Sequence, residues 1–188
     1  MMRHRREVLL MALALTASAA AMHPRPAAAD SASDINRQVD SALANLYANT
    51  PAAVELSKKA MAVLVFPSVV KAGFIFGGEF GTGGLRQNNQ PAGYYSIAAA
   101  SYGLQIGVQS FGYALFLMND KAMNFLNSQG GWQVGVGPSV VIMNQGMARS
   151  FTTATELQDV YAFIFDQQGL MAGMGLQGSK ITPYTPEF

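Results

Sequence analysis

The 188-residue chain carries 12 Lys and Arg against 11 Asp and Glu, contains no cysteine, and is half hydrophobic. This length suffices for one domain with a substantial core and is short for two. Without cysteine, the chain can form neither a disulfide nor a lipid-modified cysteine anchor.

The N-terminus has the pattern of an export signal. Three arginines within the first six residues precede the apolar run Val8–Ala21, and Ala27–Ala29 supply small residues for cleavage. The run is too short for a comfortable membrane span. We therefore predict an export signal over residues 1–29 and a mature chain from Asp30, located in the periplasm or cell envelope or secreted. Both the general secretory and the twin-arginine route are compatible with this segment.

Removal of the signal narrows the possible chemistry. It takes away both histidines, His4 and His23, together with four of the 12 basic residues and one of the 11 acidic ones. The mature chain then has 8 basic and 10 acidic residues, a net charge of about −2, which argues against a nucleic-acid partner. A mature chain without His or Cys excludes histidine-based nucleophilic sites and zinc held by these residues.

The remaining candidates for catalysis are carboxylates and lysines. Glu79 lies in an apolar, glycine-rich segment eight residues after Lys71, Asp166 is a second isolated acid, and Ser179 adjoins Lys180. None of these spacings specifies a reaction, and ion-paired or solvated side chains explain them. The chain also lacks a phosphate-binding loop motif, so we predict neither enzymatic activity nor a cofactor.

The first part of the mature chain is predicted to form two helices. Apolar residues recur every three or four positions over Ser33–Asn49, with Ser31 or Ser33 available as the N-cap. A second, short helix is expected over Pro51–Ala60, because Thr50-Pro51 combines a cap with a proline suited to the first turn.

The rest of the chain is predicted to be rich in strands, and all 19 glycines lie between Gly73 and Gly178. Met61–Phe66 is predicted to be a strand that ends at Pro67. The expected elements that follow are a meander with a turn at Asn88–Pro91, a short helix from Asn119 or Asp120 through Leu126, a strand beginning near Trp132, and a hairpin of Val160–Phe165 and Leu170–Gln177 with its turn at Asp166–Gly169.

The central uncharged stretch Ser101–Asn119 changes its pattern along its length. Its large residues occupy even positions up to Val108 and odd positions from Phe111 onward. Such a change of phase needs a bulge, a bend or a turn, which we place at Ser110–Gly112.

Together these elements predict an α+β fold. Residues 30–188 are expected to form one domain, with a helical part over 30–60 and a glycine-rich β part over 61–188. Glycines four residues apart recur in the strands, a spacing that allows strong bending. The prediction is an N-terminal helical pair packed on a strongly bent, mainly antiparallel β-sheet, barrel-like or sandwich, with one short inserted helix. Trp132 is expected to be buried.

Several ordered segments of the chain resemble the SYLF domain in the form found in bacterial exported proteins. The resemblance rests on four segments: Leu56–Arg86 (LSKKAMAVLVFPSVVKAGFIFGGEFGTGGLR), Ser101–Phe125 (SYGLQIGVQSFGYALFLMNDKAMNF), Gly131–Val141 (GWQVGVGPSVV) and Asp159–Ile181 (DVYAFIFDQQGLMAGMGLQGSKI). The family includes yeast actin regulators that bind the Wiskott–Aldrich-like protein. The resemblance implies a noncatalytic module that binds membrane phospholipids, especially phosphoinositides, and in some eukaryotic members actin filaments.

The resemblance also implies where a membrane would bind. A basic, amphipathic N-terminal part of the domain is the expected surface. The head-group residues that match it are Lys58, Lys59, Lys71 and Arg86. Apolar membrane contact is expected from the helix residues Leu43, Leu46 and Tyr47. The expected partner is therefore an anionic phospholipid membrane.

Three other function classes remain open from the sequence. A protein-recognition module with an envelope or host partner would present a similar apolar surface with a basic rim. A small outer-membrane β-barrel is suggested by the export signal and the alternating strands, although Pro183 and Pro186 interrupt the last segment. An enzyme would need Glu79 or Asp166 in a pocket with a second titratable group.

Overall fold

The computed structural model describes residues 30–73, 76–102, 107–143, 158–169 and 178–187. Within these ranges the helices are α1 (Ala32–Asn49), α2 (Pro51–Ser57) and α3 (Asp120–Leu126). The strands are β1 (Ala62–Gly73), β2 (Phe76–Gln87), β3 (Gln90–Tyr102), β4 (Gly107–Leu117), β5 (Trp132–Gln133), β6 (Val140–Met143), β7 (Val160–Gly169) and β8 (Lys180–Pro183). The predicted export signal over 1–29 and the predicted strand Leu170–Gln177 lie outside the described residues.

All three predicted helices form, but the Thr50 side chain makes no capping hydrogen bond at the start of α2. Ser31 is the N-cap of α1, and its hydroxyl accepts a hydrogen bond from the Asp34 backbone N–H at 3.2 Å. Pro51 occupies the first turn of α2, which ends at Ser57, three residues earlier than predicted. Asn119 caps α3 by accepting from the Ala122 backbone N–H at 3.0 Å. No helix in the described part of the chain has the length and apolar character needed to cross a membrane.

The eight described strands form one sheet in the order β5-β8-β3-β2-β1-β4-β7-β6. Their pairings are antiparallel except for the parallel pair β6–β7. The sheet is curled into a half-barrel, so the predicted α+β fold with a strongly bent sheet is confirmed.

The curled sheet separates two hydrophobic cores. The inner core lies on the face of the sheet opposite α1 and α2 and includes side chains from central and edge strands, among them Leu64, Leu115, Trp132 and Ile181. The outer core lies under α1 and α2, against residues of β1, β4 and β7. Trp132 is 1% exposed, as predicted, and its Nε1–H donates to the Val136 carbonyl at 3.1 Å.

β1 does not end at Pro67, contrary to the prediction. It continues to Gly73, and its register shifts at Pro67-Ser68 against both neighbouring strands. The segment Val65–Ser68 spans one residue more than the partner segment Gly84–Thr82 of β2. A bulge leaves one residue outside the hydrogen-bond ladder, so a proline without an N–H is tolerated in a central strand.

A second bulge replaces the predicted turn at Asp166–Gly169. β7 runs through these residues to Gly169, and its register against β4 shifts between the pairs Gly112–Phe165 and Ser110–Gln168. Asp166 has a φ of 50°, a left-handed conformation that Asp adopts more readily than most residues. The same shift lies at Ser110–Gly112 of β4, where the sequence predicted an irregularity.

Candidate functional site: an outer apolar patch and an interior polar cluster

The lysines predicted to bind head groups do not gather on one rim. Lys58 and Lys59 are exposed just after α2, and Lys58 Nζ lies 2.6 Å from Glu55 Oε1. Lys71 lies near the far end of β1, roughly 30 Å from the start of a strand that rises about 3.3 Å per residue. Its side chain is only 8% exposed and belongs to the inner face of the sheet.

Arg86, the fourth predicted head-group residue, is buried beneath α1 with 5% exposure. Its Nε and Nη2 donate to Asp40 Oδ1 at 3.0 and 2.8 Å, and Nη2 also donates to the Asn36 carbonyl at 3.1 Å. These bonds attach α1 to β2, so the guanidinium has a structural role in this fold.

The three helix residues predicted to contact a membrane face the sheet instead of solvent. Leu46 is 3% exposed in the outer core, and Leu43 and Tyr47 are partly buried against the same core. The apolar stripe of α1 therefore packs on the sheet. Membrane contact through these side chains would require α1 to leave it.

A different apolar surface is exposed on the part of the outer sheet face that the helices leave uncovered. We name it the outer apolar patch: Val70, Phe76, Phe80 and Val108, which are 46%, 74%, 58% and 64% exposed. Val70 pairs directly with Phe80, and Ala72 in the next row pairs with Val108. The patch begins two residues beyond Thr82, whose hydroxyl donates to Asp30 Oδ2 at 3.2 Å just before α1. The alternation of apolar residues in the sequence predicted strands here. It did not predict which face of the sheet the helices leave uncovered.

Directly behind this patch, the inner face of the sheet carries a buried polar row. Lys71 of β1 pairs with Glu79 of β2 on one side and with Gln109 of β4 on the other. We name these three residues, together with Tyr113 and Ser179, the interior polar cluster. All five are less than 9% exposed, and the Ser179 hydroxyl donates to Glu79 Oε1 at 3.4 Å.

Burial shifts the pKa values of two groups in the cluster, Glu79 and Tyr113. Burial raises the pKa of Glu79, while the positive charge of Lys71 and the Ser179 hydrogen bond act in the opposite direction. Burial also raises the pKa of Tyr113, and the Glu79 carboxylate adds to this effect. Gln109 Oε1 and Tyr113 Oη are buried and have no hydrogen-bond partner among the described residues. The sequence singled out Glu79 and Lys71, but nothing in it placed Gln109, Tyr113 or Ser179 beside them.

The other acid considered for catalysis, Asp166, is exposed and accepts hydrogen bonds from Asn45 Nδ2 at 2.8 and 2.9 Å. A shallow groove of about 340 Å³ lies elsewhere, beside α3 and the segment after β5. It is lined by Asn124, Phe125, Ser128, Gly131, Gln133 and Val136, none of them titratable. Neither location supplies a pair of acid and base groups.

Comparison with known families assigns the C-terminal part of the chain. Residues 98–187 match a family model described as Ysc84, Las17-binding protein actin regulator. The match covers β4, where Gln109 and Tyr113 lie, and β8 with the adjacent Ser179, but not the hairpin of β1 and β2. No curated protein matches the chain. This match over residues 98–187 is to the family, Ysc84 (SYLF), that the resemblance of the sequence predicted.

Proposed function

We propose that this protein is a nonenzymatic peripheral membrane protein of the cell envelope, which binds phospholipid surfaces through the outer apolar patch. The observation that carries the proposal is the exposure of Phe76, Phe80 and Val108 on adjacent strands. Large apolar side chains grouped at one end of a sheet are costly in water and are typical of interaction surfaces.

The chemistry of the patch suits a bilayer. The neighbouring residues of β1, β2 and β3 on the same face are small and uncharged: Ala72, Gly78, Ala98 and Ala100. The exposed Lys180 of β8, which pairs with Ala98, adds a cation at the edge of the patch. Full burial of a Phe or Val side chain contributes about 1.5–3 kcal/mol, so partial insertion of four such residues gives reversible binding. Charge contributes separately, because Lys58 and Lys59, the exposed lysines among the predicted head-group residues, lie at the opposite end of β1.

The test is vesicle co-sedimentation of protein expressed from the full-length sequence. Replacing Phe80 with Ser should weaken binding about tenfold, because the exposed ring no longer enters the apolar layer. Val108→Ser should weaken it less, and the matched control Val136→Ser should leave it unchanged, since Val136 is 58% exposed but lies outside the patch. Equal binding by Phe80→Ser and the parent protein would show that the patch is not the membrane contact.

The predicted head-group lysines are tested in the same assay. Lys58→Ala with Lys59→Ala should reduce binding only to anionic vesicles and only at low salt, because each lysine contributes roughly 1 kcal/mol near an anionic surface. If the double variant also lost binding to neutral vesicles, the lysines and the outer apolar patch would not be two separate membrane contacts.

A second candidate is protein recognition through the same patch, favoured by the description of the matched family as Las17-binding. An apolar sheet face suits a protein partner as well as a lipid surface. If the parent protein binds no vesicle, whether neutral or anionic, this second function takes precedence.

A further inference from the structure

The structure separates Ser179 and Lys180, the adjacent pair that the sequence left as candidates for catalysis. Ser179 is fully buried in the interior polar cluster, whereas Lys180 is exposed on the outer face of β8. Adjacent residues of an extended segment point to opposite faces of a sheet, so these two side chains do not form a nucleophilic pair. The role of Lys180 is therefore to be sought on the outer face.

Lys180 lies in the same row of the sheet as Phe80 of the outer apolar patch. Phe80 pairs with Ala98 of β3, and Ala98 pairs with Lys180. Because neighbouring strands lie about 4.8 Å apart, the backbones of Phe80 and Lys180 are roughly 10 Å from each other. The residue between them is an exposed alanine, so only a methyl group occupies the surface between the ring and the ammonium.

The charge of Lys180 has no counterion in the part of the chain that the structure describes. No described acidic side chain lies within 4 Å of its ammonium, and the residues opposite it on the neighbouring strands, Ala98 and Gln133, are neutral. The basic residues that do form ion pairs with described acids are Arg37, Lys58, Arg86 and Lys121. An exposed cation beside an apolar surface is accessible to an anionic ligand.

A pair of hydroxyl groups lies in the next row of the same face. Thr182 follows Lys180 by two residues and pairs with Ser96, and the two hydroxyl oxygens are 2.9 Å apart. One hydroxyl donates to the other, so the second can donate its own hydrogen to a further acceptor. The surface above Ala98 therefore has hydrogen-bond donors on two sides and the Phe80 ring on a third.

The outer face changes in character along the strands. Its exposed residues are apolar near Phe76 and Val108, and the row of Phe80 and Lys180 lies about 13 Å further along β2. The next row contains the hydroxyl groups, beginning with Thr82. A protein that enters a bilayer by its apolar end meets hydrocarbon, then phosphates, then water. Insertion of the outer apolar patch would thus bring Lys180 to the level of the phosphates.

We propose that Lys180 is the head-group contact of the outer apolar patch and binds the phosphate of an anionic phospholipid above Ala98, with phosphatidylglycerol as the simplest example. The ammonium and one hydroxyl of the Ser96–Thr182 pair donate to phosphate oxygens, while the acyl chains extend past Phe80 toward the apolar end of the sheet. Phosphatidylcholine carries its own cation beside the phosphate, so it gains less from Lys180. The inference rests on the proposed function, because the patch must first hold the protein at the bilayer.

The experiment compares co-sedimentation with two kinds of vesicle at physiological ionic strength: phosphatidylcholine alone, and equimolar phosphatidylglycerol and phosphatidylcholine. Protein expressed from the full-length sequence should bind the mixed vesicles more tightly. Lys180→Gln should reduce the ratio of the two affinities about fivefold, because one lysine near an anionic surface contributes a factor of this size. Its binding to phosphatidylcholine alone should stay within about twofold of the parent protein. Lys180→Arg keeps the charge and should keep the ratio.

Lys59→Gln is the matched control, because it removes the same charge from another exposed lysine, which follows α2 and lies away from the patch. At physiological ionic strength it should change the ratio by less than about twofold, since salt screens an exposed charge outside the contact. Equal reductions by Lys180→Gln and Lys59→Gln would indicate general electrostatic attraction and would overturn the proposal.

Two substitutions at one position test where the phosphate lies. Ala98→Glu places a carboxylate opposite Lys180, at the expected phosphate position, and should remove the preference for the mixed vesicles. Ala98→Gln has the same size without the charge and should keep most of the preference. An unchanged preference in Ala98→Glu would show that the phosphate does not lie above Ala98.

A soluble arm separates failure of this inference from failure of the proposed function. Dihexanoyl phosphatidylglycerol, dihexanoyl phosphatidylcholine and inorganic phosphate are each titrated below any micelle-forming concentration, while the backbone amide signals of Ala98 and Lys180 are followed by NMR. Larger shifts with dihexanoyl phosphatidylglycerol than with the other two compounds support the site even if no vesicle is bound. Equal shifts with inorganic phosphate would indicate a site for free phosphate and overturn the lipid assignment. No shift with dihexanoyl phosphatidylglycerol would overturn it even if the outer apolar patch binds membranes.

Discussion

At the scale of single residues, Asp159 is the most heavily bonded side chain among those described. Its carboxylate accepts from Asn119 Nδ2 at 2.8 Å, from Lys121 Nζ at 2.7 Å, and from the backbone N–H and hydroxyl of Ser139 at 2.7 and 3.2 Å. These bonds connect the start of α3, the residue before β6 and the residue before β7. The same bonds, with Lys121 contributing most, hold the pKa of Asp159 well below its usual value.

Asp159→Asn should lower the free energy of unfolding by roughly 1–3 kcal/mol near neutral pH, because the amide cannot replace all of these bonds. A carboxyl group whose pKa is depressed by folding stabilises the protein above its unfolded pKa of 3.8. That contribution is lost as the pH falls below about 4, so the difference between parent and variant should shrink in acid. Urea titrations at several pH values measure it.

The matched control for this variant is Asp166→Asn. Asp166 is exposed, and Asn tolerates its left-handed backbone as well as Asp does. Its effect on the free energy of unfolding should be small at every pH. A loss equal to that of Asp159→Asn would show that the hydrogen bonds around Asp159 contribute little.

At the scale of elements, the attachment of α1 to the sheet combines an apolar stripe with the Arg86 guanidinium. Asp40→Ala should lower the free energy of unfolding by about 1–3 kcal/mol, because it leaves a buried cation with only the Asn36 carbonyl among the acceptors described above. Thermal unfolding followed by circular dichroism measures the change. Glu55→Ala is the matched control, since its partner Lys58 is exposed and becomes solvated, and it should change stability little. Equal losses in the two variants would contradict a special role for the buried cation.

At the scale of the whole molecule, the segment 178–187 completes the sheet. β8 pairs with β3 and β5, Ile181 is fully buried, and the Tyr184 backbone N–H donates to the Tyr94 carbonyl at 2.8 Å. Deleting residues 178–188 should expose Trp132, whose strand partner is Ile181. We expect a red-shifted fluorescence of this single tryptophan and a less cooperative unfolding transition. Deleting only residues 185–188 leaves β8 intact and should keep the emission of the parent protein; a red shift there too would place the effect outside β8.

The sequence by itself determined the local elements of this protein. Ser31, Pro51 and Asn119 mark helix starts because capping and proline geometry depend on residues close in the chain. The two-residue period of the strands was also predictable, as was a turn beginning at Asn88, which the structure confines to Asn88-Asn89. Each of these features depends on local chemistry, which a single sequence contains.

Only the tertiary structure decided which residues are accessible. Val65, Pro67 and Phe80 occur in similar apolar strands. Val65 is covered by a helix, Pro67 lies at a bulge and Phe80 is exposed. Lys71 and Arg86 look like surface cations in the sequence and are buried beside partners that lie 8 to 46 positions away. Burial depends on which elements pack together across the chain, because the same side chain is stabilised by a partner at one position and by water at another.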